Sequence, residues 1–202
     1  MHLFPMFLKL AGRRCLVVGG GATGADKIAG LLAAGAEPTV VAPEVSEKVK
    51  EWASAAKITW LERKFRPADL DGAFLVVAAT SRVEVNELVF REAAQRGVLC
   101  NVVDDPERCD FYYPAVLRRG RLQIAISTSG SSPALAQRLR QELEHQFSGY
   151  YGAWLEELAE TRRRLINTQF DSGQRRRWLH GLASREAFDG FVQKSAAEGR
   201  SG

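Results

Sequence analysis

The stretch that decides the fold reads Cys15-Leu16-Val17-Val18-Gly19-Gly20-Gly21-Ala22-Thr23-Gly24. Its apolar first half predicts a buried β-strand, and its glycines follow the spacing G-x-G-x-x-G. In this pattern Gly19 permits a tight turn, Gly21 lets a pyrophosphate approach the backbone, and Gly24 lets helix and strand pack closely. A helix predicted over residues 24–34 would present its N-terminal amides to the phosphates. The strand-turn-helix context therefore favours dinucleotide binding over a merely structural glycine turn.

The sequence on either side of this stretch alternates apolar runs with amphipathic ones as far as residue 113. We predict strands at residues 15–18, 38–42, 57–61, 74–79 and 99–103, and helices at residues 24–34, 45–56 and 83–96. Apolar strands that alternate with helices indicate a parallel sheet covered on both faces. The predicted fold class is α/β, with a Rossmann-like parallel sheet domain over residues 1–113.

A different pattern begins after residue 113. Apolar runs at 115–117 and 122–126 flank Arg118-Arg119-Gly120-Arg121 and predict a β-hairpin. A helix over 133–147 should follow, with Ser132 as its N-cap and Pro133 in its first turn. From residue 151 the pattern is helical, with a break near 171–173. We therefore predict a small α+β region over residues 114–148 and a helical C-terminal region over residues 149–202.

Composition and charge exclude several classes of protein. Of 202 residues 46% are hydrophobic and 26% charged, which is typical of a folded globular chain and not of a disordered one. No apolar stretch reaches the roughly 18 residues of a membrane span, and charges interrupt the first 14 residues, so we expect neither a membrane partner nor a signal peptide. The net charge of +4 is divided evenly between residues 1–150 and 151–202, so we expect no nucleic-acid partner.

Cysteine and histidine usage indicates a reducing compartment and no metal site. The three cysteines form an odd set without C-x-x-C spacing, which favours a cytoplasmic protein without a disulfide framework. The three histidines are scattered, and none lies at metal-ligand spacing from another ligand. The sequence therefore predicts no resident metal.

Acidic residues follow two of the predicted strands. Glu44 comes after the second strand, where a carboxylate commonly binds the ribose of a dinucleotide, although it could equally begin the next helix. Since no arginine lies beside it to hold a 2′-phosphate, NAD is favoured over NADP. Asp104 follows the last strand and should face the ligand crevice, where it could accept a proton. It could instead be a turn residue that bonds its own backbone, and the sequence does not separate it from Asp105.

A hydroxyl-rich loop precedes the helix predicted at 133–147. It reads Ser127-Thr128-Ser129-Gly130-Ser131-Ser132. Backbone amides at such a helix start bind carboxylates or phosphates, whereas the alternative is simple capping of a flexible turn. No His or Lys lies in the loop to activate a serine, so nucleophilic catalysis is not expected.

Several separated motifs, taken in order, resemble one family. They are Phe4-Pro5-Met6-Phe7, Val17-Val18-Gly19-Gly20-Gly21, Val40-Val41-Ala42-Pro43, Ala78-Ala79-Thr80, Asn86, Cys100-Asn101-Val102-Val103-Asp104, Cys109-Asp110-Phe111 and Ile126-Ser127-Thr128-Ser129-Gly130-Ser131-Ser132-Pro133-Ala134. The chain resembles the precorrin-2 dehydrogenase / sirohydrochlorin ferrochelatase family, which also forms the N-terminal module of siroheme synthase. The likeness covers about residues 2 to 165. The large methyltransferase domain of full siroheme synthase has no counterpart in this sequence, so methylation is not expected.

The resemblance implies a fold, a reaction and a set of site residues. Members oxidise precorrin-2 to sirohydrochlorin with NAD, and some then insert ferrous iron as a second substrate; whether this chain does so stays open. The resemblance makes the region 114–148 a dimerisation region of a homodimer and Asp104 the catalytic residue. It implies cofactor contacts at Gly19, Gly21, Ala22, Thr23, Gly24, Pro43, Glu44 and Thr80. Substrate contacts are expected from Ser127, Thr128, Ser129, Gly130 and Ser132, and Arg118, Arg119 and Arg121 add charge that would attract a polycarboxylate.

One departure from the family pattern and one alternative function are to be weighed. After Thr80 the family commonly has an acidic pair, and this chain has Ser81-Arg82. The alternative to an enzyme is a non-catalytic regulatory module that senses NAD(H), in which Asp104 would be dispensable.

Overall fold

The computed structural model describes residues 3–166 and 171–198, and the chain falls into two compact units that divide between Tyr112 and Tyr113. Among the described residues, no helix combines the length and the apolar character needed to cross a membrane. The separate C-terminal region predicted from residue 149 stays a prediction.

The first unit is a parallel sheet with helices on both faces, as predicted. Its elements are β1 (Arg14–Gly20), α1 (Ala22–Ala33), β2 (Glu37–Val45), α2 (Glu47–Ser54), β3 (Thr59–Leu61), β4 (Leu75–Ala78), α3 (Val83–Arg96) and β5 (Leu99–Val102). The strand order is β3-β2-β1-β4-β5 and every neighbouring pair is parallel. After β1 the chain forms β2 and β3 on one side of this strand, and it then crosses to form β4 and β5 on the other side. Ligands of open α/β sheets bind at such a switch point, beyond the carboxyl ends of the strands.

The central strand contributes to a core on each face of the sheet. Because successive side chains of a strand point to opposite faces, Leu16 and Val18 pack with Val89 of α3 on one face. Cys15 and Val17 pack with α1 and α2 on the other face. Burial on both faces explains why β1 is a continuous apolar run rather than an alternating one.

The second strand is longer than the sequence indicates, and this changes the position of Glu44. The strand β2 continues through Pro43 to Val45, because Gly20 pairs with Val45 after a register irregularity in β1. Proline is tolerated there because the pairing of β2 with β3 ends at Val41 and Leu61. The next helix begins only at Glu47. Glu44 therefore lies within the strand, and its assignment to a helical turn is wrong.

Over its described residues, 113–166 and 171–198, the second unit contains a hairpin and four helices. Its elements are β6 (Ala115–Arg119), β7 (Leu122–Ile126), α4 (Pro133–Gln146), α5 (Tyr150–Ile166), α6 (Ser172–Leu182) and α7 (Arg185–Glu198). The hairpin is antiparallel, as predicted, with a turn shortened to Gly120 and Arg121. The predicted cap is also confirmed, since the amide of Leu135 donates to the Ser132 hydroxyl over 3.2 Å. The break predicted near 171–173 is the start of α6, which Asp171 caps.

Aromatic side chains form the packing centre of the C-terminal helices. Tyr151 stacks on Phe188 with 4.1 Å between ring centroids, and Trp154 lies 5.1 Å from the same ring. Phe188 is 6% exposed, so these rings pack against one another within the second unit. Aromatic pairs of this geometry add to the stabilisation that comes from burial of their area.

Candidate functional site

The candidate site is a cavity of about 850 Å³ whose lining residues all belong to the first unit. This volume lies within the range of small-molecule sites. Its wall follows the carboxyl ends of the strands and consists of Val18, Gly19, Gly20, Gly21, Ala22, Thr23, Val41, Ala42, Pro43, Glu44, Lys64, Phe65, Ala79, Thr80, Ser81, Arg82, Val85, Leu88, Val103 and Asp104. The structure thus brings together every sequence-predicted cofactor residue except Gly24.

The three glycines of the fingerprint have three different surroundings. Gly19 has a φ of +104°, and a Cβ added there would meet the backbone of Ala79 and approach the methyl of Thr80 within 3.1 Å. A Cβ on Gly24 would lie 3.1 Å from the carbonyl carbon of Gly19 and nearer still to its oxygen. A Cβ on Gly21 would meet nothing within 4 Å. Gly24 therefore serves helix-strand packing, whereas Gly21 leaves open space at the cavity.

The start of α1 fits a phosphate group. Gly21 is the N-cap residue, no side chain caps the helix, and its first turn holds no acidic residue. Uncapped amides and the positive end of the helix dipole attract an anion. Together with the open space at Gly21, this arrangement fits the pyrophosphate of a dinucleotide. Ala22 and Thr23 would supply the amides.

The Thr80 loop, which leads from β4 towards α3, is fixed by a side chain that the site analysis of the sequence did not assign. The Asn86 amide nitrogen donates to the Thr80 carbonyl over 3.0 Å, and the Thr80 hydroxyl donates to the Asn86 Oδ1 over 2.7 Å. The amide of Arg82 donates to the Thr80 hydroxyl over 3.1 Å. Asn86 is a positioning residue, since it holds the loop that forms one wall of the cavity.

The structure separates the two adjacent aspartates that the sequence could not. Asp104 lines the cavity and is exposed, with a φ of +61°. Within the described residues its carboxylate makes no hydrogen bond or ion pair, so the reading as a self-bonded turn residue is wrong. Asp105 is ion-paired to Arg108 and does not line the cavity. A non-glycine residue in the left-handed region is uncommon and often marks a functional position.

The serine loop lies in the second unit, and its hydroxyls are partly used by the loop itself. The amide of Ser129 donates to the Ser127 hydroxyl and the amide of Ser132 to the Thr128 hydroxyl, each over 3.1 Å. Ser132 caps α4. Gly130 has a φ of +81°, which a glycine adopts without strain. These contacts support the capping interpretation, and a substrate-binding role stays a prediction.

One of the hairpin arginines also has a structural role, and the expectation that these arginines attract the substrate stays a prediction. The Arg119 side chain donates to the carbonyl oxygens of Phe147 over 2.6 Å and Glu144 over 3.1 Å. It thereby satisfies carbonyls that the end of α4 leaves without helical partners. Arg119 is a structural residue, whereas Arg118 and Arg121 are exposed.

Neither buried thiol is suited to bind a metal or act as a nucleophile. Burial raises the pKa of Cys15 to about 11. Burial, with smaller contributions from Asp110 and Cys109, raises the pKa of Cys100 to about 12. A thiol must lose its proton to do either task. In the part of the chain that the structure describes, no group of three His, Cys, Asp or Glu residues is placed to hold a metal ion.

Two basic residues of the cavity wall were missed by sequence reasoning. Lys64 follows β3 and Arg82 follows β4, and both are exposed. Lys64 lies three residues beyond Leu61, the end of β3, as Glu44 lies three beyond the paired residue Val41. Counting onward from paired strand ends is the signal that would have found Lys64.

Comparison with known proteins agrees with the geometry. The pattern of a family described as "Putative NAD(P)-binding" matches residues 6–115, and that of the family "Sirohaem biosynthesis protein central" matches residues 119–146. The solved structure of SirC, a precorrin-2 dehydrogenase, is similar with a TM-score of 0.79 and 30% identity, over 95% of this chain and 98% of that one. The chain belongs to the precorrin-2 dehydrogenase family, which is also the N-terminal module of siroheme synthases.

Full siroheme synthases are longer relatives of this dehydrogenase-family chain. The siroheme synthase of Methylobacillus flagellatus is 39% identical over 99% of this chain and 42% of its own length. Siroheme synthase 3 of Aeromonas hydrophila is 42% identical over 90% of this chain and 39% of its own length. The chain thus spans about two fifths of the curated relatives that it matches.

Proposed function

We propose that this chain catalyses the NAD-dependent oxidation of precorrin-2 to sirohydrochlorin in siroheme biosynthesis. The observation that carries the proposal is the free carboxylate of Asp104 in the wall of a cavity that fits a dinucleotide. The likeness of nearly the whole chain to a precorrin-2 dehydrogenase supports the same reaction.

The residues of the chain would divide the work as follows. The backbone at Gly21, Ala22 and Thr23 binds the pyrophosphate, and Glu44 accepts a hydrogen bond from the ribose, which favours NAD. Bound at these residues, NAD would supply the acceptor for a hydride from the substrate. Oxidation also removes a proton from the tetrapyrrole, and Asp104 accepts it as a general base. Its left-handed backbone holds the carboxylate at the cavity wall, beyond the end of β5.

The remaining elements of the proposal concern substrate and assembly. The substrate carries many carboxylates, and the loop from Ser127 to Ser132 would bind them through the amides and hydroxyls that remain, since the amides of Ser129, Ser131 and Ser132 are bonded within the loop. We also infer a homodimer, in line with the family resemblance, and a cytoplasmic location, which three free cysteines support. Ferrous iron would be a second substrate only if the chain also inserts it.

The test compares two neighbouring aspartates. Purified protein is mixed anaerobically with precorrin-2 and NAD, and the visible spectrum and NADH absorbance are followed. Asp104→Asn should lower kcat about 10²- to 10⁴-fold, which is the usual contribution of a general base, with NAD affinity nearly unchanged. Asparagine also adopts the left-handed region readily, so the turn should be retained. The matched control, Asp105→Asn, removes a surface ion pair and should keep kcat within about twofold.

The possible results distinguish the general base, the enzyme and the sensor. Equal turnover by the wild type and Asp104→Asn would refute the base assignment. No turnover by folded wild type that still binds NAD would refute the enzyme and favour the sensor of NAD(H). Addition of ferrous iron to the completed reaction then asks whether siroheme forms.

A further inference from the structure

Lys64 and Glu44 both line the cavity, and each follows the residues at which β2 and β3 pair. Val41 of β2 pairs with Leu61 of β3 in parallel register, and Glu44 and Lys64 lie three residues beyond these partners. Both line the same cavity. In a Rossmann-type site the ribose of the adenosine half lies at the end of the second strand. The wall of the cavity therefore contains both a carboxylate that follows the paired part of β2 and a lysine that follows β3.

The backbone at Lys64 is held from both sides. The Arg63 guanidinium donates to both carboxylate oxygens of Asp69 over 2.6 and 2.9 Å, and to the Lys64 carbonyl over 3.1 Å. The amide of Arg66 donates to Asp69 over 2.8 Å. The side chain of Phe65 packs against the core on the α3 face. A fixed backbone lowers the entropy lost when the lysine binds a ligand.

The ammonium group of Lys64 has no anionic partner in the described residues. It occurs in none of the ion pairs found within residues 3–166 and 171–198, and neither does Glu44. Lys50, the lysine that follows α2's first turn, is by contrast paired with Glu47 over 2.7 Å. A lysine that is unpaired, held in place and part of a cavity wall is suited to bind an anionic group of the ligand.

We propose that Lys64 is the counter-charge for a 2′-phosphate, so that the cavity binds NADP as well as NAD and the pair Glu44–Lys64 sets the preference. The inference rests on the proposed function, since it concerns the cofactor of the same site. Glu44 accepts a hydrogen bond from a free 2′-hydroxyl and repels a phosphate at that position. Lys64 attracts the phosphate and offsets this repulsion.

Binding measurements test the inference without turnover. Dissociation constants for NAD and NADP are measured by calorimetry on the full chain, without substrate, at low and moderate salt. Lys64→Met should raise the ratio of the NADP constant to the NAD constant about fivefold, the value of one exposed ion pair. Glu44→Gln should lower that ratio by a similar factor. Lys57→Met, which removes an exposed lysine just before β3 and outside the cavity wall, should leave the ratio unchanged.

Salt dependence supplies an independent readout. Wild-type affinity for NADP should fall more steeply with ionic strength than affinity for NAD, and Lys64→Met should remove the difference. An unchanged ratio in Lys64→Met, or wild type that binds NAD but not NADP, overturns the inference. Normal binding ratios without precorrin-2 oxidation would refute the proposed function alone, and a wild type that binds neither dinucleotide would refute both.

Discussion

A single methyl group placed at Gly24 tests whether close contact between α1 and β1 holds the first unit together. In Gly24→Ala the new Cβ would lie 3.1 Å from the carbonyl carbon of Gly19 and nearer to its oxygen. Both obstacles are backbone, so no side-chain rotation relieves the clash. Recovery of an ordinary contact distance requires α1 to move away from β1 by about 1 Å.

The expected loss of stability follows from two opposing contributions. Movement of α1 loosens the packing of Ala25, Ile28 and Leu31, which are all buried against the sheet. Overpacking of this kind costs about 1–3 kcal/mol, and rigid backbone on both sides favours the upper end. Replacement of a helical glycine by alanine gains about 1 kcal/mol. The net loss is about 2 kcal/mol, which lowers Tm by about 4–8 °C for a chain of this size.

The same helix offers a matched control. Gly30 is exposed in α1, and a Cβ there would meet nothing within 4 Å. Gly30→Ala should therefore gain about 1 kcal/mol and raise Tm by about 2–4 °C. Melting is followed by far-UV circular dichroism, which reports the helix content of the chain. If both variants melt at the same temperature, the glycine at position 24 is not required for packing and the reasoning is refuted.

Two further variants test the pyrophosphate site and the segment beneath Lys64. Gly21→Ala should keep the wild-type Tm, since the extended backbone at this position suits alanine and the new Cβ would meet no protein atom within 4 Å. The same variant should weaken NAD binding at least about tenfold, because the methyl group occupies the open space that the pyrophosphate needs. Calorimetry measures this affinity. Burial alone would raise the pKa of Asp69, but hydrogen bonds from Arg63 and the Arg66 amide outweigh it and hold that pKa below its usual range. A lowered carboxyl pKa stabilises the fold above the unfolded value of about 3.9 and loses its effect as pH falls through the folded pKa. Asp69→Asn should thus lower Tm by a constant amount above about pH 5, with the gap to wild type narrowing below about pH 4; a gap independent of pH would contradict the assignment.

The elements of the first unit were predictable where local pattern and tertiary environment agree. The helix α3 has the predicted bounds, because its apolar positions are regular and Gly97 ends it with a φ of +65°. The strand β2 was underestimated because Pro43 normally ends a strand, whereas here it lies beyond the last residue that β3 pairs. Local sequence does not contain that information, since it depends on which strand lies alongside.

In the candidate site, too, some residues were predictable from local sequence and others depend on neighbouring strands. The glycines and Asp104 were found from the chain itself, because each directly follows an apolar run. Lys64 was missed because it lines the cavity only as a result of β3 lying next to β2 in the sheet, which the sequence does not show. Asp104 and Asp105 are adjacent in sequence, and the structure distinguishes them because Asp104 lines the cavity whereas Asp105 is ion-paired with Arg108. Side-chain partners of adjacent residues are set by the fold and not by composition.

A cavity built from parallel strand ends places strict demands on spacing. Glu44 and Lys64 both line the cavity and each lies three residues beyond a paired position, so one inserted residue after Leu61 would displace the lysine while leaving the sheet intact. The bidentate contact of Arg63 with Asp69 opposes such slippage, since it fixes the segment just before Lys64. Since the Arg63 side chain is 33% exposed, this half-buried ion pair adds only modest net stability once its desolvation is counted. We infer that its value is positional, because Arg63 also holds the backbone of Lys64, the lysine that we propose as the counter-charge for a 2′-phosphate.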